Sequence, residues 1–232
     1  MMVELEVNSM RILFCNIAWM NYYKGTTDKD IPHGGGTYVE EMLDGNEAYN
    51  FMGESIKFDD DFLPEDTYCL GFVETKTTNG ETRNQLHIEK IAGCEACVKE
   101  ESVDDVLVVY CATHPSHGFT TVVGWYCNAT VFRHYQNIEL SQEDGSVYVQ
   151  SCNVIAKKYD CVLLPRSERS QITKWKVPRK KGGISYGFGR ANVWFAQEQN
   201  ENSNLREYLN RLANQIENYS GDNWIDKYED ES

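Results

Sequence analysis

No run of about 18 apolar residues occurs in this 232-residue chain, which removes a membrane-spanning helix from consideration. The first nine residues carry Glu4 and Glu6 and lack an apolar core, so no secretory signal is expected and the expected location is the cytoplasm. Positive charge is scarce: 22 Lys and Arg stand against 36 Asp and Glu, a net charge of −14. That balance argues against a general nucleic-acid coat protein. No nucleophile elbow, phosphate-binding loop or H-E-x-x-H motif is present. Gly187-x-Gly189 is too short for a dinucleotide loop and lacks the strand-turn-helix setting. No cofactor is implied, and the chain reads as a binder rather than an enzyme.

A second C-x-x-C is also missing. Cys94 and Cys97 form one such pair, whereas a structural zinc site needs four ligands, usually from two knuckles. The eight cysteines lie mostly in apolar, strand-like runs and read as buried free thiols of a reducing compartment. His114-x-x-His117, on a turn with Pro115, lacks an identifiable third ligand, so no metal is assigned. Asp59-Asp60-Asp61 reads as a solvated acidic loop.

What is present is a folded composition, 41% apolar and 12% aromatic, in many short strand signals. Met10–Asn16, Tyr68–Thr75, Leu86–Ile91, Val106–Ala112, Thr120–Arg133 bent at Gly124, Ser146–Tyr159 and Cys161–Leu164 are read as strands. Asn79-Gly80 marks a hairpin turn. Thr37 is placed to cap a short helix from Tyr38, with Glu40 completing a capping box. Leu205–Tyr219 is the clear amphipathic helix, with Leu205, Leu209, Leu212 and Ile216 on one face. Strands with so few intervening helices predict an α+β fold built on a mostly antiparallel, closed or half-closed β-barrel. The expected division is a barrel over 10–164, a basic loop or lobe over 165–191, and a C-terminal strand and helix over 192–228.

Two aromatic stretches and one basic stretch carry the functional reading. Asn16–Gly25 places Trp19, Tyr22 and Tyr23 directly after a strand; such rings suit one wall of a base-stacking pocket, with Asn16 and Asn21 as candidate readers of a base edge. Val122–Arg133 places Trp125 and Tyr126 on opposite faces of a strand. Either set can equally be core filler. Residues 166–190 hold eight Lys and Arg against one Glu. Of these, Arg166, Arg169, Lys174, Lys176, Arg179, Lys180 and Lys181 are the candidate phosphate contacts; the alternative is a solvated loop facing the protein's own acidic surface.

The strand, the Trp/Tyr loop, Gly34-Gly35-Gly36 and the Val122-Val123-Gly124-Trp125-Tyr126 strand together resemble the PUA-like superfamily, which includes EVE, YTH and ASCH domains. With Trp175–Arg179, Gly187–Ala196 and Asn223-Trp224, the likeness extends over about residues 10–225. It is closest to a PUA-like module found beside HNH nuclease domains in bacterial defence proteins. The resemblance implies capture of a modified or flipped base between aromatic side chains, Trp19 and Trp125 foremost, then Tyr22, Tyr23 and Tyr126. It also implies nucleic acid as the partner, DNA ahead of RNA, and a nuclease acting alongside. The chain departs from the nuclease-fused forms in having no HNH motif and an acidic body. The rival expectations are an acidic protein-interaction or regulatory partner, and a nucleotide or small-molecule sensor.

Overall fold

A computed structural model describes residues 10–34, 45–56, 63–75, 77–78, 82–83, 85–141 and 145–228. The expected Thr37-capped helix, the Asp59–Asp61 run and the Asn79-Gly80 tip lie outside them, as do two glycines of the triple-glycine stretch. The strands are β1 (Ile12–Asn16), β2 (Gly53–Ile56), β3 (Asp66–Gly71), β4 (Thr77–Thr78), β5 (Thr82–Arg83), β6 (Ser102–Thr113), β7 (Thr120–Ser141), β8 (Val147–Lys157), β9 (Cys161–Leu163) and β10 (Val193–Trp194). Short helices α1 (Arg166–Arg169) and α2 (Ile172–Trp175) follow β9, and α3 spans Ser203–Glu217.

One mixed sheet runs in the order β10-β1-β6-β7-β8-β3-β2, with β9 also paired to β7. β1 and β6 are parallel; the other pairs in this sheet are antiparallel. The sheet ends on a two-residue strand at one edge and a four-residue strand at the other, and these do not pair with each other. It is therefore open, and the expected PUA-like, EVE-like barrel is not formed. The physical reason is the long connection from β1 to β6. It carries the chain across to a parallel neighbour, a pairing that local alternation of side chains does not encode.

The continuous apolar run of β6 is buried on both faces, as a central strand must be. Leu13, Cys15, Val108, Tyr110, Val123 and Tyr126 pack on one face with Phe51 and the segment around Ile88. Ile12, Phe14, Val109, Cys111, Val122 and Trp125 pack on the other, beneath α3. That helix buries Leu205, Tyr208, Leu209, Leu212 and Ile216, and its first turn is capped by the Asn202 side chain, which accepts from Leu205 N at 3.0 Å. Leu86–Ile91 is not a strand: Leu86 is buried and Ile88–Lys90 turn into a 3-10 helix. The segment 165–191 is packed rather than free, for Trp175, Val177 and Phe188 enter the α3-side core.

β7 carries its bend where the glycine suggested. The register against β6 slips after Tyr110↔Gly124, which lets Val122 and Trp125 share one face and Val123 and Tyr126 the other. A Cβ at Gly124 would stand 2.3 Å from the Val162 carbonyl oxygen and 2.7 Å from the Phe51 ring. Both neighbours are rigid, one being backbone and the other a buried ring. Gly124→Ala is expected to cost about 1–3 kcal/mol through overpacking, read as a lower urea midpoint with an unchanged m-value; an unchanged midpoint would show that β9 and Phe51 do not press on this glycine.

Candidate functional site

Because β1 and β6 run parallel, the chain leaves both at the same end of the sheet. Ligand-binding loops gather at such carboxyl ends in sheets with parallel pairs. The loop after β1 is tied down by a ladder closure between Trp19 and His33, with N–H to carbonyl distances of 2.8 and 2.9 Å. The buried Asp30 carboxylate accepts from Asn21 N at 2.6 Å and Tyr22 N at 2.8 Å. Beneath the loop, the buried Glu47 carboxylate accepts from Ala18 N at 3.0 Å.

Arg169 enters this loop from α1 and is fully buried. Its guanidinium donates to the carbonyls of Leu164 (2.7 Å), Met20 (2.7 Å) and Asn21 (2.9 Å). It also lies 5.4 Å from the Trp19 ring centre and 5.9 Å from that of Tyr23. Burial pulls its pKa down to about 10, with Tyr23 and Asp30 opposing the drop, so the group stays charged at neutral pH. A planar fork with five donors can satisfy three carbonyls at once where an ammonium cannot.

The turn after β6 sets its rings against this loop. His114 lies 4.7 Å from Trp19, 4.5 Å from His117 and 5.6 Å from Phe119, and His117 and Phe119 are stacked at 6.1 Å. Trp19 and His114 are buried, Phe119 is half-buried and His117 is exposed. The His114 Nδ1 accepts from Ser116 N at 3.2 Å, so its proton sits on Nε2. Nε2 donates to the Ser170 hydroxyl (3.0 Å), which donates in turn to the Arg166 carbonyl (3.1 Å). Burial and the neighbouring His117 both lower the His114 pKa, which keeps the ring neutral in this role.

The basic segment passes the same end. Lys176 forms a backbone bridge to Thr121, with Val177 N donating to Thr120 O at 2.8 Å. Arg179 donates to the Thr120 hydroxyl and, at 3.0 Å, to the Asn16 side-chain oxygen. Asn16, Trp19, Asn21, Arg166, Arg169, Lys176 and Arg179 are thus brought together. Arg169 serves inside as a structural tie, while Arg166 and Lys176 face solvent.

The remaining candidates lie elsewhere or are engaged. Trp19 and Trp125 belong to clusters on opposite faces of the sheet, so no slot forms between them. Trp125 packs 5.6 Å from Trp175 and edge-on to Tyr219, and Tyr126 packs among Phe51 and Tyr110. Tyr23 donates to Ala18 O inside the core, and Tyr22 stacks on Trp224 at 5.7 Å. Lys174 pairs with Glu168 and Lys180 with Glu198, each at 3.1 Å; Lys181 is exposed. The sequence reading missed His117 and Phe119 as ring surfaces. The spacing of His114 and His117 in a Pro-containing turn carried only a metal-site signal, and among the described residues no group of three metal-ligating side chains occurs.

Glu47 gives the loop a pH signature. Burial raises its pKa from 4.5 to about 7, with the N–H donors of Ala18 and Glu74 partly offsetting. A carboxyl raised on folding stabilises nothing extra below the unfolded value and costs stability as pH climbs from about 4.5 to about 7. Glu89 runs the other way: burial is outweighed by Arg133 and His87, its pKa falls to about 2, and its contribution is lost as pH falls from about 4.5 toward 2. Glu47→Gln is expected to gain stability over the natural chain, on the order of 3 kcal/mol, between pH ~4.5 and ~7. Urea melts of both proteins across that range test it, and parallel pH curves would contradict it. Comparison of the chain with protein-family models, with curated proteins and with solved structures finds no match to any of them.

Proposed function

We propose that the chain is a nucleic-acid-binding module whose contact face is the ring-and-cation end of the sheet. Unpaired bases stack on His117 and Phe119, and Arg166 and Lys176 contact the adjoining phosphates. The observation that supports this reading is the Arg169 tie, which holds the Trp19 loop against the basic segment, with the His114 ring packed on Trp19. Rings offer a sequence-tolerant platform, and stacking is worth about 1–3 kcal/mol per base. With few cations on an acidic body, binding is short in footprint and strongly weakened by salt.

Single-stranded DNA and RNA oligonucleotides, titrated by fluorescence anisotropy from about 50 to 200 mM salt, test the proposal. The doubly substituted His117→Ala, Phe119→Ala chain is expected to bind about tenfold more weakly or worse. The double change Arg166→Glu, Lys176→Glu is expected to weaken all sequences alike and to flatten the salt slope by about 1.4, at about 0.7 per phosphate of a single strand. Absence of binding at the lowest salt, or both variants binding like the natural chain, would overturn it.

A further inference from the structure

The thiols of this chain are not equally shielded. Cys15, Cys69, Cys111, Cys152 and Cys161 are fully buried in strands. Cys94 is buried as well, but Cys97, three residues on, is only half-buried. Its neighbours Glu95, Ala96, Val98 and Lys99 are all exposed, so nothing bulky in this stretch covers it. The Cys94–Cys97 turn precedes β6, whereas the His114–Phe119 turn follows it. The two turns therefore lie at opposite ends of that strand.

Backbone bonds bring the two cysteines together. Cys94 N donates to Ile91 O and Cys97 N donates to Cys94 O, each at 2.9 Å, so one tight turn follows another. A turn closed from residue i+3 to residue i holds its end Cα atoms within about 7 Å, and a disulfide closes over about 4.4–6.8 Å. The Cys94 and Cys97 side chains are in hydrogen-bond contact. The buried Arg133 pins the turn, donating to Cys97 O and Glu100 O at 2.8 Å and to the Glu89 carboxylate at 2.7 Å. The pair is thus assembled before any reagent arrives.

Burial divides the roles of the two sulfurs. It raises the Cys94 pKa, with Arg11 opposing and Cys97 adding to the rise, so Cys94 keeps its proton while Cys97 is the sulfur that solvent reaches. We propose that Cys94 and Cys97 are a thiol–disulfide exchange site for low-molecular-weight disulfides of the glutathione class. The Cys97 thiolate attacks one sulfur of the reagent; the reagent's S–S bond breaks and its other half leaves as a thiolate, which takes up a proton. Cys94 then gives up its proton and attacks the Cys97 sulfur. The bond between Cys97 and the reagent breaks, and the second half leaves as a thiol. Two cysteine thiols are oxidised to one disulfide, and the reagent, which is the oxidant, is reduced to two thiols. One C-x-x-C supplies only two of the four ligands of a structural zinc site, and the buried Cys94 is closed to a second molecule that would bring the rest. The site is independent of the nucleic-acid reading.

Tryptic cleavage after Lys90 and Lys99 releases residues 91–99, which contain Cys94 and Cys97 and no other cysteine. The reduced, folded full chain is treated with oxidised glutathione, its remaining thiols are alkylated, and that peptide is weighed. It is expected to lose two hydrogens and to escape alkylation, at a rate ~tenfold or more above the modification of any other thiol, and dithiothreitol is expected to restore it. Cys94→Ser is expected to trap glutathione on Cys97, and Cys97→Ser to leave Cys94 unmodified; a urea melt of each variant establishes that it is folded before exchange is read. The proposal is overturned if residues 91–99 of the natural chain remain a dithiol. It is equally overturned if Cys97→Ser takes up glutathione as fast as Cys94→Ser, or if the reduced chain binds zinc through these thiols and zinc blocks the exchange.

Discussion

A fully buried guanidinium joins two distant parts of this chain. Arg169 reaches from the short helix after β9 into the loop after β1, and its three donors end on the carbonyls of Leu164, Met20 and Asn21. Burying such a charge is costly unless every donor is met. Here carbonyl oxygens and two ring faces meet it, while the Asp30 carboxylate organises the same loop from its other side through Asn21 N and Tyr22 N. The loop then presents Trp19 as a fixed wall, and the imidazole of His114 packs against it. Without that wall the β6–β7 turn has no reason to align its rings, and the exposed cations of 166–176 lose their neighbours.

The sheet imposes a second constraint. Its two faces are separate cores, and β7 feeds both. Trp125 goes under α3, and Tyr126 goes to the opposite side with Phe51 and Tyr110. Rings that are near in sequence are therefore spent on different cores, and neither is free to form a pocket with Trp19. The Trp19 end of the sheet is reached by the segment that holds most of the positive excess, through Arg179 and Asn16.

Much of the local structure was legible from residues alone. The uninterrupted Val106–Ala112 run marked a strand buried on both faces, Gly124 marked the bend in β7, and the four-residue spacing of Leu205 and Leu209 marked the helix. The expected barrel was wrong and the open sheet was not legible, because strand count and alternation say nothing of which strand joins which edge; the parallel β1–β6 pair follows from a long connection. Leu86–Ile91 failed as a strand because Leu86 and Ile88 are buried through a 3-10 turn rather than a pleat. Of the proposed contacts, the gathering of Asn16, Trp19, Arg166, Lys176 and Arg179 depends on tertiary partners. Arg169 read as one more candidate phosphate contact in a basic run, since its partners, Met20 and Asn21, lie far upstream.

The most direct test of this account is amide hydrogen exchange in Arg169→Lys, which keeps the charge and removes the three-way fork. Protection is expected to fall in residues 19–33 and in the His114–Phe119 turn, while the β7–β8 ladder keeps its slow exchange. A folded variant with unchanged protection in residues 19–33 would contradict the claim that this guanidinium holds the site together.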